Sequence, residues 1–228
     1  MQTLSEGEFQ RLSAEYQAQL QAQAQPFFIV IGGGPGAGKS TFFHAKAELF
    51  CVDVTSALYH NPDDLMIRLE GYQQTLRETG ATAETAFFDW ELPAREAAEA
   101  ILAQAMDARY HIIYDRSCAL PCAQITLEKA KDYGYSILFY GLYCDLSIAQ
   151  ARALTREKSE GRHIPPSVVQ ERHLSFYQLL PRYFSIADEA FLYNGGVNHW
   201  PLIAQKDQYN GFYISDQHLF DVIWPSDY

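Results

Sequence analysis

The run Gly33-Gly34-Pro35-Gly36-Ala37-Gly38-Lys39-Ser40 constrains this chain more than any other stretch. It fits the spacing G-x-x-x-x-G-K-[ST] of a phosphate-binding loop. The preceding residues Phe27-Phe28-Ile29-Val30-Ile31 form a short apolar run of β-formers, which predicts a buried strand. Residues from Lys39 to Phe50 can form a helix, so the loop joins a strand to a helix N-terminus. Glycines let the backbone amides close around a phosphate, and the helix end adds positive potential. A glycine-rich strand-to-helix turn without a ligand has the same local form. The full octapeptide in this context points instead to a nucleoside triphosphate. The expected binding set is Gly33, Gly34, Pro35, Gly36, Ala37, Gly38, Lys39, Ser40 and Thr41. Lys39 would reach the β- and γ-phosphates, and the Ser40 hydroxyl would bind Mg²⁺.

A chain of 228 residues is long enough for one sizeable α/β domain with a small appendage. Its 17 basic and 28 acidic residues leave a net charge of −11, which disfavours a nucleic-acid partner because phosphate-backbone binding needs a broad basic surface. No run approaches a membrane span and the N-terminus lacks a secretion-signal pattern, so a cytoplasmic protein with no membrane partner is expected. The cysteines Cys51, Cys118, Cys122 and Cys144 are scattered. Cys118 and Cys122 resemble half of a metal site, but there is no second ligand pair, and reduced thiols are the simpler account.

Along the chain, Phe9, Leu12, Tyr16 and Leu20 have helical spacing within a polar segment, 1–25, that Pro26 ends. This helix packs on the domain or docks a partner, with packing the better account. Phe50-Cys51-Val52-Asp53-Val54 reads as a second strand. Asn61-Pro62-Asp63-Asp64 starts a helix, with Asn as cap and the acids facing its positive end, and that helix runs to about Thr79. A further helix begins at Pro93 after an irregular stretch, 81–92. His111–Asp115 and Ser136–Tyr143 read as strands, separated by a helix from Ala123 to Tyr133. Helices follow from Ser147 to about Glu160 and from Pro166, before a strand at Ala190–Tyr193. This alternation predicts an α/β fold of the P-loop NTPase type, a parallel sheet of about five strands with helices on both faces. Asn210-Gly211 between two apolar runs signals a C-terminal hairpin. The expected organisation is an N-terminal helix (1–25), a kinase-like domain (26–195) and a hairpin extension (196–228) packed on it.

Ligands of open α/β sheets bind beyond the carboxyl ends of the strands, which gathers Asp53, Asp115 and the phosphate loop at one edge. Asp115 has the form of an acid that holds Mg²⁺ directly or through water; the alternative is a helix cap. Asp53 is placed to orient and deprotonate an acceptor hydroxyl, or else to form a turn. Arg152 and Arg156 share a helix face, and Arg162 lies in a Gly/Pro-bounded segment that could close over the nucleotide. Such guanidinium groups stabilise transferring phosphate; the alternative is a solvated face paired with Glu157 and Glu160.

These pieces together resemble the zeta-toxin family of P-loop kinases. The matching segments are residues 33–40, Val52-Asp53 through Asn61-Pro62-Asp63-Asp64, Ile112-Ile113-Tyr114-Asp115-Arg116-Ser117, and Arg152 through Gly161-Arg162-His163-Ile164-Pro165. The resemblance implies ATP/Mg²⁺-dependent phosphorylation of a small hydroxyl substrate. In the best-known members this is the 3′-hydroxyl of UDP-N-acetylglucosamine, and an antitoxin holds the enzyme inactive. Carried over by position, Lys39 and Ser40 bind phosphate and Mg²⁺, Asp115 sits at the family's acidic position, and Arg152 or Arg156 with Arg162 clamps phosphate. The family's base lies two residues beyond the position matched to Asp53, where this chain has Thr55. Either Asp53 substitutes, the register shifts, or the acceptor differs. Another small-molecule kinase, of antibiotic or shikimate type, and a non-catalytic nucleotide-binding protein both stay open.

Overall fold

In the computed structural model of the chain, which describes residues 2–224 apart from 79, 81, 161–163, 208 and 210, the apolar runs become strands covered on both faces. Along β1 (Phe27–Gly32), Phe28 and Val30 enter one core while Ile29 and Ile31 enter a second on the opposite side of the sheet. The same alternation separates Ile112 and Tyr114 from Ile113 on β3 (His111–Arg116). On β4 (Ser136–Tyr143) it separates Ile137 and Phe139 from Leu138 and Tyr140. Strands buried on both faces need apolar side chains at both parities, hence the continuous runs in the sequence.

The sheet has seven strands in the order β2-β3-β1-β4-β5-β6-β7. β2 (Ala57–His60), β3, β1, β4 and β5 (Glu189–Asn194) are parallel. β6 (Leu202–Asp207) and β7 (Gly211–Ile214) add to β5 in antiparallel sense. The expected count of about five is exceeded because the C-terminal hairpin joins the edge of the same sheet. Residues 208 and 210 of its connection, where the Asn-Gly signal falls, lie outside the described residues.

The N-terminal helix α1 (Glu6–Gln17) is shorter than 1–25 and begins where Ser5 caps it, its side chain accepting from the Glu8 amide at 3.2 Å. Its stripe faces inward. Leu12 is fully buried, and Phe9, Tyr16 and Leu20 pack against the larger core. Ser13 Oγ donates to Gln104 Oε1 at 2.6 Å on α5 (Ala83–Asp107), fixing the helix to its neighbour.

Three expectations fail locally. Phe50–Val54 is not a strand: Phe50 drives its ring among Phe42, Phe43 and Tyr140, and the chain then turns at the surface through a 3₁₀ turn at Val54–Ser56. The second strand comes later, at Ala57. Pro93 does not open a helix but lies inside α5, which starts where Thr82 Oγ1 accepts from the Thr85 amide at 3.1 Å. Ala86 and Trp90 bury on the same side as Ala94, Ala97 and Ala98, so packing carries the helix through the proline. The helix after Asn61 also breaks. α3 (Pro62–Arg68) and α4 (Glu70–Thr75) meet at Leu69, which is extended and fully buried.

The register positions the site. Ile31 pairs with Asp115, Gly32 with Arg116, and His60 with Tyr114. The phosphate loop, the end of β3 and Asn61 therefore emerge side by side at the carboxyl edge.

Candidate active site

The loop leaves β1 and enters α2 (Lys39–Ala45), whose cap is Gly38 at φ 91°. Gly36 has φ 80°, and a Cβ there would collide with the backbone carbonyl of Ala149. Both positions require glycine, in one case for backbone conformation and in the other also for close approach. Lys39 Nζ donates to the carbonyl oxygens of Gly33 at 2.8 Å and Gly34 at 3.4 Å, so the ammonium lies along the loop it belongs to. Ser40 and Thr41 are exposed on the first turn of α2.

Asp115 is only 4% exposed. Its Oδ2 accepts from Tyr59 Oη at 2.7 Å and from Asn61 Nδ2 at 3.2 Å. Burial, reinforced by the Asp115 charge, pushes the Tyr59 phenol upward, so Tyr59 stays a donor at neutral pH. The Asn61 side chain works in two directions, because its Oδ1 also accepts from the amides of Asp63 at 3.0 Å and Asp64 at 3.4 Å. That cap starts α3 and sets Asp63 on its first turn.

These groups open onto a cleft of about 930 Å³. Pro35, Gly36, Gly38, Lys39, Ser40, Thr41, Asp115, Arg152 and Arg156 line it, together with Asp63, Arg116 and Arg172, which the sequence reading did not single out for chemistry. The Nε of Arg172 is buried and has no hydrogen-bond partner among the described residues. Arg116 Nη1 lies 3.4 Å from Glu99 Oε1, and its guanidinium is 5.9 Å from the centre of the Tyr114 ring.

Of the remaining nominated residues, Asp53 stands elsewhere. Asp53 is exposed on the connection before β2, outside the residues lining the cleft. Its Oδ1 accepts from the Thr55 amide at 2.9 Å and hydroxyl at 2.8 Å, and these bonds hold its carboxyl below the usual range. It is a turn cap because no strand forms at Phe50–Val54 for it to end. Arg152 lines the cleft, but Nη1 donates to the carbonyls of Gly195 at 2.8 Å and Gly36 at 3.3 Å, tying the phosphate loop to the turn after β5. Arg162 lies outside the described residues. Burial pushes the Cys118 thiol up to about 12, which disfavours a thiolate ligand, and Cys122 is exposed.

Mg²⁺ binds through one or two carboxylates plus substrate phosphates and water, rather than through an all-protein cage. Among the described residues no cluster of three or more His, Cys, Asp or Glu side chains could hold a metal. A buried Asp115 carboxylate and the Ser40 hydroxyl beside the phosphate loop fit the phosphate-assisted mode.

A family model described as zeta toxin matches residues 12–190. The chain belongs to the zeta toxin family. No curated protein matches it. Its fold is similar to that of a chain from the PezAT chromosomal toxin–antitoxin system of the human pathogen Streptococcus pneumoniae. The TM-score is 0.73 at 14% identity, over 100% of this chain and 91% of that one. A chain of the AvrRxo1-ORF1:-ORF2 complex with ATP gives 0.73 at 14% identity, over 94% of this chain and 70% of that one. A chain of the Pnkp1/Rnl/Hen1 RNA repair complex gives 0.51 at 21% identity, over 71% and 47%. At these identities the structural likeness concerns the fold. Family and fold together make this zeta toxin family member a P-loop kinase. Among the described residues no helix is long and apolar enough to cross a membrane.

Proposed function

We propose that this chain is an ATP/Mg²⁺-dependent kinase that transfers the γ-phosphoryl group to a hydroxyl of a small metabolite, with Asp63 as the general base. The observation that carries this reading is the convergence of Lys39, Ser40, Asp115 and Asp63 on one cleft. The resemblance expects an acid two residues beyond the position matched to Asp53. Counted instead from Asn61, the residue that follows the observed second strand Ala57–His60, the acid two residues on is Asp63. The family pattern is then restored by a register shift, and Thr55 carries no chemical meaning.

In this reading the loop amides and Lys39 bind the β- and γ-phosphates. Ser40 and Asp115 would hold Mg²⁺, which would neutralise charge on the phosphate oxygens. The acceptor oxygen forms a bond to the γ-phosphorus as the bond to the β–γ bridging oxygen breaks and ADP leaves. The hydroxyl proton passes to the Asp63 carboxylate. Phosphoryl transfer asks a base mainly for position, and such a group contributes roughly 10²–10⁴-fold. Arg156 and Arg172 on the cleft wall, and Arg162, stabilise the equatorial oxygens.

UDP-N-acetylglucosamine is the first acceptor to test, on the strength of the family resemblance. An antitoxin that covers the nucleotide site and a cytoplasmic place of action belong to the same reading. The similar fold from the PezAT toxin–antitoxin system supports the antitoxin. The test is a panel of sugar nucleotides and hydroxylated metabolites with Mg·ATP, the product being followed by mass spectrometry. One phosphorylated member, lost in Lys39→Ala, is expected. ATP binding without any modified acceptor would sink the proposal.

A further inference from the structure

We propose that Tyr59 and Asn61 are positioning residues for Asp115: they fix which carboxylate oxygen faces the phosphate-bound metal, and Asn61 couples that carboxylate to the turn carrying Asp63. The inference rests on the kinase reading above. Both side chains donate to the same oxygen, Oδ2, at 2.7 Å and 3.2 Å, and Asn61 Nδ2 also lies 3.3 Å from Tyr59 Oη. Two donors on one oxygen stop rotation of the carboxylate, and at 4% exposure bulk water does not compete. With Oδ2 taken by both donors, Oδ1 is the oxygen this reading assigns to the metal.

The donors are themselves held. The Tyr59 ring stacks on Phe43 with centroids 4.8 Å apart and planes at 23°, and Phe43 belongs to α2, the helix that follows the phosphate loop. Asn61 spends its other side-chain atom on capping α3 through the Asp63 and Asp64 amides. Three elements with separate tasks thus meet at one aspartate: α2 with the phosphates, β3 with the metal carboxylate and α3 with the base. Groups that orient a metal ligand in this way typically change metal affinity about 10–100-fold when removed.

The two variants separate donation from packing. Tyr59→Phe keeps the stacked ring and deletes the hydroxyl. Asn61→Ser keeps a side-chain cap for α3 and deletes the Nδ2 donor. Mn²⁺ binding to the full chain with a non-hydrolysable ATP analogue, read by electron paramagnetic resonance, gives the metal affinity directly. The Mn²⁺ dissociation constant should rise about 10-fold in either variant and more in the double variant. Affinity for the analogue without metal should stay at the wild-type value, and raised Mg²⁺ should restore kcat. A folded Tyr59→Phe with wild-type Mn²⁺ affinity overturns the inference and leaves the kinase reading intact. Where Tyr59→Phe fails to fold, Asn61→Ser decides in the same way. A wild-type protein that takes up no Mn²⁺ with the nucleotide overturns the kinase reading, and this inference with it.

Discussion

Arg152 separates two accounts of the basic face of the helix Leu146–Glu160. As a phosphate clamp it would act in the transition state. In the structure, its Nη1 instead bonds the carbonyls of Gly195 and Gly36, joining the turn after β5 to the phosphate loop. Arg152→Ala removes one short charge-assisted bond at 2.8 Å and one longer bond at 3.3 Å. A hydrogen bond from a charged donor contributes about 1.5–3 kcal/mol when well buried. The exposed side chain puts the total near the low end, about 1.5 kcal/mol. For a chain of this size that lowers Tm by roughly 3–6 °C. The loosened loop should weaken ATP binding several-fold and change kcat by less than about 10-fold. Arg156→Ala, a change at the cleft wall, should lower kcat by about 10²-fold or more. Differential scanning calorimetry and steady-state kinetics on the two variants give all four quantities. An Arg152→Ala protein with unaltered Tm and a kcat reduced about 100-fold would refute the brace and restore the clamp.

Other perturbations test the frame and the base. Leu12→Ala should cost about 2–5 kcal/mol in urea unfolding if α1 is an integral part of the core; a cost below about 1 kcal/mol would contradict that. His60 is buried and stacked on Tyr114, and burial holds its imidazole below the ordinary range, against the upward pull of Glu99 at 3.6 Å. The folded state therefore binds this proton less readily than the unfolded chain. The stability it contributes is complete above the ordinary value of about 6.5 and is lost as pH falls from there toward the lower folded value. His60→Phe, which keeps the stack, should flatten that part of a stability-versus-pH curve; an unchanged curve would contradict the assignment. Asp63→Asn should retain nucleotide binding and lose roughly 10²–10⁴-fold in kcat, whereas Asp53→Asn should leave both nucleotide binding and kcat unchanged. The reverse pattern would move the base back to Asp53.

The features that announced themselves in the sequence share one physical cause, in that local composition decided them. The phosphate loop needs its glycines wherever it sits, and β1, β3 and β4 must be apolar at both parities because helices cover both faces. The failures arise where tertiary packing overrode local preference. Phe50-Cys51-Val52 is apolar because one ring enters the core from a turn, whereas the real β2, Ala57-Leu58-Tyr59-His60, is short and carries two polar tips. The proposed base moves with that strand: an acid read against Phe50–Val54 is Asp53, whereas the acid that follows the observed β2 and lines the cleft is Asp63. A signal existed: Asn61-Pro62-Asp63 marks a strand-to-helix junction as clearly as a helix cap does. Pro93 misled because a proline rule is local and the face formed by Ala86, Trp90, Ala94 and Ala97 is not. Arg152 reads in the sequence as a phosphate clamp, but its carbonyl partners lie 116 and 43 residues away along the chain.

The most direct test of the account is a crystal structure of the protein with Mg²⁺ and a non-hydrolysable ATP analogue. The γ-phosphate should sit in the 33–40 loop beside Lys39, the metal should contact Ser40 and the Asp115 carboxylate or its water, and Asp63 should face the γ-phosphorus from the opposite side. A triphosphate seated away from that loop, or an Asp63 turned out of the cleft, would contradict it.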